Sequence, residues 1–158
     1  MDYKIEEVEI SNSLEKLSIL SLTELTFIPE NINTANNTEE LIFTESLIEL
    51  NKYFKADNIN IESLGGKPEL YRSRKSADIY LPTIFIASSI LVENPNTISV
   101  ILNIISSFIY DNLKGTIGKK TAKIEFYVEK KEKGKITKIE YKGDAEGLKD
   151  LEKIIKSL

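Results

Sequence analysis

Strict alternation of apolar and polar residues near the end of the chain constrains the fold more than any other feature. From residue 121 to residue 142 the alternation runs on both sides of Gly134. A period of two places successive side chains on opposite faces of a strand. The segment therefore predicts a β-hairpin with one apolar face, made of Ile124, Phe126, Val128, Thr137, Ile139 and Tyr141. Such a face must be covered by another layer.

A short amphipathic helix follows the predicted hairpin. Asp144 stands where an N-cap is expected, because its side chain can accept a hydrogen bond from the first helical turn. The apolar stripe recurs at helical spacing and consists of Leu148, Leu151, Ile154, Ile155 and Leu158. We expect this stripe to lie on the apolar face of the hairpin, so residues 121–158 form one hairpin-plus-helix part.

The most apolar part of the chain is residues 77–115. It contains two apolar runs, 79–92 and 98–110, which are separated by Glu93, Asn94, Pro95, Asn96 and Thr97. A membrane-spanning helix needs about 20 consecutive apolar residues, and polar residues at its centre are costly. The pattern predicts an apolar helical hairpin. Core packing, a partner interface and a membrane segment all stay open as its role.

The second predicted helix, residues 98–113, is apolar around much of its circumference. A helix of this kind must be covered on all sides, and one small domain offers limited cover. We therefore predict that it contributes to a contact surface with a second copy or another protein. The side chains assigned to this surface are Ile98, Ile101, Leu102, Ile105, Phe108 and Ile109.

Residues 1–70 form an acidic part with the order strand, helix, strand. "KIEEVEI" predicts a first strand, residues 17–32 predict one or two more, and Asn37 can cap a helix over residues 38–55. Ile59 and Ile61 indicate a further strand. We expect one α+β domain over residues 1–158, with an antiparallel or mixed sheet packed by the apolar helical hairpin and the amphipathic helices.

Composition excludes several classes of function. The chain has no Cys and no His, which removes thiol chemistry, Cys- or His-ligated metals and Ser-His-Asp hydrolysis. No motif identifies a catalytic residue, a metal site or a cofactor, and we predict none. The N-terminal residues lack the pattern of a secretory signal, so the expected location is the cytoplasm.

Two clusters of charged residues offer candidate chemistry. Arg72, Arg74 and Lys75 stand close together and could contact an anion. The E-x-K motif that begins at Glu129, with Asp111 upstream, resembles the metal-binding pattern of restriction-type nucleases. The many lysines after residue 118 alternate with glutamates, a pattern typical of a solvated face, and no nucleic acid partner is expected.

The order of parts from Ala77 to Leu158 resembles the effector-associated constant component families of bacterial conflict systems. The resemblance rests on an apolar helical segment, the charged hairpin "AKIEFYVEKKEKGKITKIEYKG" and the terminal helix "DAEGLKDLEKIIKSL". It implies a non-enzymatic adaptor in a signalling or anti-phage defence complex, which associates with itself or with a separately encoded effector. The alternatives are a membrane-acting effector that uses residues 79–110 and a metal-dependent nuclease.

Overall fold

The computed structural model describes residues 2–73, 78–114, 121–132 and 134–158. It is an α+β fold built on a mixed sheet, which confirms the predicted class. The strands are β1 (Asp2–Val8), β2 (Leu25–Ile28), β3 (Ile42–Thr44), β4 (Glu62–Ser63), β5 (Leu70–Arg72), β6 (Ile79–Tyr80), β7 (Thr83–Ile86), β8 (Ala122–Glu129) and β9 (Ile136–Gly143). The helices are α1 (Ser11–Lys16), α2 (Leu47–Ala56), α3 (Ser88–Glu93), α4 (Asn96–Leu113), α5 (Ala145–Lys149) and α6 (Leu151–Lys156).

The main sheet has the strand order β1-β9-β8-β7-β2-β4, and β6 pairs with β8 ahead of β7. β1 with β9, β9 with β8, and β7 with β2 are antiparallel pairs, whereas β8 with β7 and β2 with β4 are parallel. β3 and β5 form a separate parallel pair. β1 and β4 are therefore the outer strands of the main sheet.

The predicted hairpin is present as β8 and β9. Its register places Ile124 opposite Tyr141, and Phe126 opposite Ile139. All six side chains assigned to its apolar face are buried. Gly134 lies in the connecting loop with a φ of 89°, a conformation that glycine adopts without a steric penalty.

The C-terminal helix is present in two pieces, α5 and α6, which meet at Asp150. Asp144 caps it as predicted, because its Oδ1 accepts a hydrogen bond from the backbone N–H of Gly147 at 2.8 Å. Both pieces pack on α4, and α5 also contacts β9. The stripe therefore reaches the hairpin through α5 and is otherwise covered by α4.

The first apolar run, residues 79–92, is not the first helix of a hairpin. Its first half forms β6 and β7, and only α3 is helical. β7 lies between β8 and β2, and Ile84, Phe85 and Ile86 are all buried. A strand that is covered on both faces is apolar at every position, so its pattern cannot be distinguished from that of a buried helix.

The predicted helix over residues 38–55 is also wrong in its first half. Asn37 caps only a short 3-10 turn, Thr38–Glu40, after which β3 is extended and α2 begins at Leu47. The side chain of Asn31 bonds to the carbonyl oxygen of Glu40 (2.9 Å) and to the N–H of Ile42 (2.8 Å). These long-range bonds, together with the strand-forming residues of β3, favour extended backbone over helix.

One cluster of buried apolar side chains runs through the described chain, from Ile10 to Ile155. α4 lies within this cluster and contacts α2, α3, α5 and α6. The face of the sheet that carries Glu125 and Tyr127 points the opposite way from the apolar face of the hairpin, because side chains alternate along β8.

Candidate functional site

The six side chains predicted to form a contact surface lie in the core of the chain itself. Each is at most 3% exposed: Ile98, Ile101, Leu102, Ile105, Phe108 and Ile109. They present no surface to a partner, so the prediction that places an interface on them is corrected. α4 is apolar around much of its circumference because four other helices of the same chain cover it.

The outer side of α4 instead lines a groove that it shares with α2. This α2–α4 groove has a volume of about 610 Å³. Four of its lining residues are apolar or aromatic and four are polar or charged: Tyr53, Ala56, Val100 and Ile104, with Lys52, Asp57, Asn103 and Ser107. Ile104 is buried, whereas Val100 is 40% exposed. The predicted helix therefore does contribute a surface, but with different residues.

Tyr53 is held in a fixed position in the wall of the α2–α4 groove. Its hydroxyl group donates a hydrogen bond to Oδ2 of Asp111 at 2.6 Å, and its ring packs edge-on against Phe108 with the ring centres 5.2 Å apart. The hydrogen bond to Asp111 raises the pKa of Tyr53 above its usual value. The groove is thus preformed on the α2 side, since the tyrosine ring is restrained at both ends.

The candidate anion contacts are only partly described. The guanidinium group of Arg72 pairs with the Glu30 carboxylate, with 3.4 Å between Nη1 and Oε2. Arg74 and Lys75 lie outside the described residues. Arg72 therefore has a carboxylate partner within the chain, and its role as an anion contact stays a prediction.

The residues of the nuclease-like motif are not brought together by their contacts. Glu129 accepts hydrogen bonds from the N–H (3.0 Å) and the hydroxyl (2.6 Å) of Ser88, so it stabilises the start of α3. Asp111, near the end of α4, accepts a hydrogen bond from Tyr53 of α2 instead. Within the described parts of the chain, no group of three or more acidic side chains could hold a metal ion.

The membrane alternative depends on the length of the apolar helices. None of the helices that the structure describes is long and apolar enough to cross a membrane.

A second groove of about 580 Å³ lies along the face of the hairpin that carries Glu125 and Tyr127. Its lining includes Glu125 of β8 together with Lys138 and Glu140 of β9. Glu125 lies directly opposite Glu140 in the strand register. The ammonium group of Lys138 pairs with Glu140 at 2.9 Å and with Glu6 at 3.1 Å. This carboxyl pair was missed at the level of sequence, because facing positions on two strands become visible only once the register is known.

The two carboxyl groups have pKa values displaced in opposite directions. Burial raises the pKa of Glu125 above its usual value, and the charge of Glu140 adds to this effect. The hydrogen bond from Lys138 lowers the pKa of Glu140. The same bond raises the pKa of Lys138 well above its usual value. Glu140 is therefore the stable anion of the pair, and Glu125 is the group that takes up a proton first.

Replacement of Glu125 by glutamine is expected to stabilise the protein at pH 8 by roughly 0.2–1 kcal/mol, the range for a cross-strand pair. Folding raises the pKa of this carboxyl, so its contribution to stability is full at low pH and is lost as the pH rises through the folded-state pKa. The gain in melting temperature should therefore disappear near pH 3. Thermal unfolding followed by circular dichroism across this pH range measures it.

Glu140→Gln is the matched control for Glu125→Gln, with the opposite sign. Folding lowers the pKa of Glu140, so its contribution is present at neutral pH and is lost as the pH falls. We expect Glu140→Gln to destabilise the protein at pH 8 by a similar amount. If both variants shift the melting temperature in the same direction at pH 8, the assigned roles of the two carboxyl groups are wrong.

Comparison of the chain with protein-family models, with curated proteins and with solved structures finds no match.

Proposed function

We propose that this protein is a non-enzymatic interaction module whose α2–α4 groove binds an amphipathic helix of a separately encoded protein. The observation that carries the proposal is the composition of the groove, in which four apolar residues lie beside four polar ones. Grooves that accept an amphipathic helix combine an apolar strip with polar edges in this way. The volume of about 610 Å³ has room for several apolar side chains of such a helix.

The exposed surface of α4 supports the same site. Val100, Asn103, Ser107 and Tyr110 are exposed and follow one another at intervals of three and four residues, which places them on one side of the helix. Val100 is 40% exposed and Tyr110 is 63% exposed. The small side chains between them, at Asn103 and Ser107, leave space for a second helix to approach. An apolar residue at each end would then anchor the bound helix.

We further propose that the partner is an effector in a bacterial signalling or anti-phage defence complex in the cytoplasm. What supports this step is the resemblance of residues 77–158 to effector-associated components in the hairpin and the terminal helix, whereas the apolar segment before them is helical only from α3 onward. The proposed role requires neither catalysis nor a cofactor, because the chain acts by binding its partner. Neighbouring genes in the source genome are the first place to look for that partner.

Val100→Asp is expected to weaken binding of the effector about tenfold or more, because it replaces an apolar anchor of the bound helix with a charge, and a tenfold loss corresponds to about 1.4 kcal/mol. The candidate effector is co-expressed from a neighbouring gene, purified, and titrated calorimetrically against the wild type and the variant. A charge at this exposed position should leave the melting temperature nearly unchanged.

Val92→Asp is the matched control for the binding experiment, since Val92 is 64% exposed but lies on α3, outside the groove. It should bind the effector like the wild type. Equal affinities of the wild type and Val100→Asp for a bound effector would show that the groove is not the binding site.

A further inference from the structure

β1 is a long outer strand with one free edge. It is seven residues long and pairs with β9 along its whole length. No other strand within the described residues pairs with β1. Its outer edge therefore offers backbone N–H and C=O groups that can pair with a further strand. Such pairing leads to aggregation in some proteins and to specific binding in others.

The side chains of β1 are exposed from residue 2 to residue 7. Tyr3 is 48% exposed and Ile5 is 44% exposed, although both stand next to buried residues of β9. The register places Tyr3 opposite Tyr141 and Ile5 opposite Ile139. Two apolar rows of the sheet therefore continue onto an edge where about half of each side chain is exposed.

The sequence of β1 is complementary to itself in one antiparallel register. When two copies pair with Ile5 opposite Ile5, all seven residues of each strand overlap. Lys4 of each copy then lies opposite Glu6 of the other copy, so the pairing contains two oppositely charged pairs around a central apolar pair. Cross-strand pairs of both kinds stabilise a sheet.

The neighbouring registers that keep the same faces together lack this complementarity. Centring the pair on Lys4 places Lys4 opposite Lys4 and Asp2 opposite Glu6. Centring it on Glu6 places Glu6 opposite Glu6. Both shifts shorten the overlap to five residues, and like charges that face each other directly are destabilising. Charge and length therefore select the same register.

The charged residues of β9 continue the pattern in which each charge on β1 lies opposite a charge of the other sign. Lys4 lies opposite Glu140 within its own chain, and Glu6 lies opposite Lys138, with which it pairs at 3.1 Å. In the joined sheet, Lys4 would have Glu140 on one side and Glu6 of the second copy on the other. Glu6 would likewise lie between two lysines. Edge charges that only prevent pairing would place like charges of the two copies opposite each other. Here Lys4 of one copy lies opposite Glu6 of the other, so the charges attract.

We propose that β1 joins two copies of this chain into a two-fold symmetric dimer with one continuous antiparallel junction, centred on Ile5. Two-fold association is the commonest closed arrangement for small proteins, and its contact surface must be complementary to itself. This dimer does not use the α2–α4 groove: α2 packs on β2 through the ring contact of Phe54 with Phe27, and three strands separate β2 from β1 in the sheet.

Two charge-reversal variants test the dimer. Lys4→Glu and Glu6→Lys each place like charges opposite one another in a self-pair, so each should weaken self-association about tenfold or more. An equimolar mixture of the two should associate again, because one variant then carries acidic side chains at both positions and the other carries basic side chains at both. Sedimentation velocity over a wide concentration range measures all three samples, with any purification tag placed after Leu158.

Lys16→Glu and Glu15→Lys on α1 are the matched controls, since both side chains are exposed and lie outside β1. They should associate like the wild type, and circular dichroism should show every variant folded. Wild-type protein that stays monomeric at all concentrations would overturn the dimer. So would a dimer that persists in folded Lys4→Glu, or a variant mixture that does not associate. Val100→Asp should still dimerise, which separates this outcome from loss of the effector site.

Discussion

Leu151→Asp is expected to lower the free energy of unfolding by about 3–5 kcal/mol, the cost of an uncompensated charge in a protein interior. Leu151 is fully buried, begins α6, and belongs to the stripe by which the C-terminal helices pack on α4. An aspartate there must either ionise without a partner or keep its proton at a cost, and the leucine contacts are lost as well. Urea unfolding followed by circular dichroism measures the change.

Lys153→Asp is the control for this experiment. Lys153 is exposed two residues further along α6, so the control introduces the same side chain into the same helix without burying it. Its effect should stay within about 0.5 kcal/mol, as for most surface substitutions. An unchanged unfolding midpoint for Leu151→Asp would show that the C-terminal helices do not pack as the structure describes.

The elements that could be predicted from the sequence are those with local and complete signals. The hairpin alternates over residues 121–142, and its strands have one buried and one largely polar face, so a period of two is visible. The C-terminal helix has its cap, Asp144, and its stripe within one short segment. In both cases the sequence near each residue carries the information that decides its structure.

The elements that could not be predicted depend on contacts distant in the chain. β7 is apolar at consecutive positions because the side chains on both of its faces are buried, and no local period reveals this arrangement. β3 is extended where a helix was predicted, because Asn31 and β5 supply its hydrogen bonds. Tertiary contacts override local preference at such positions.

The candidate sites divide along the same line. The apolar content of α4 predicted a contact surface on this helix. Which side of α4 is exposed depends on the four helices around it, so the residues assigned to the surface lie in the core. The carboxyl pair of Glu125 and Glu140 depends on a strand register. The self-complementarity of β1 is present in seven residues, yet it gains meaning only because the strand lies at the edge of the sheet.

Ile105→Ala is expected to cost about 2–5 kcal/mol of unfolding free energy, the usual range for truncation of a buried isoleucine. Ile105 is fully buried near the middle of α4, and the lost side chain leaves a cavity that the surrounding helices and the sheet cannot close completely. The magnitude within this range depends on how far the neighbours relax. Thermal and urea unfolding at several protein concentrations measure it.

The concentration series separates a core role of Ile105 from an interface role. A residue that only stabilises an assembly changes stability through mass action, so its effect depends on protein concentration. A core residue costs the same at every concentration, even if the wild type dimerises through β1. Val100→Ala, at a 40% exposed position of the same helix, is the control and should have a small effect. If the loss of unfolding free energy for Ile105→Ala vanishes on dilution, Ile105 lies in a contact between chains. That outcome would contradict the packing of α4.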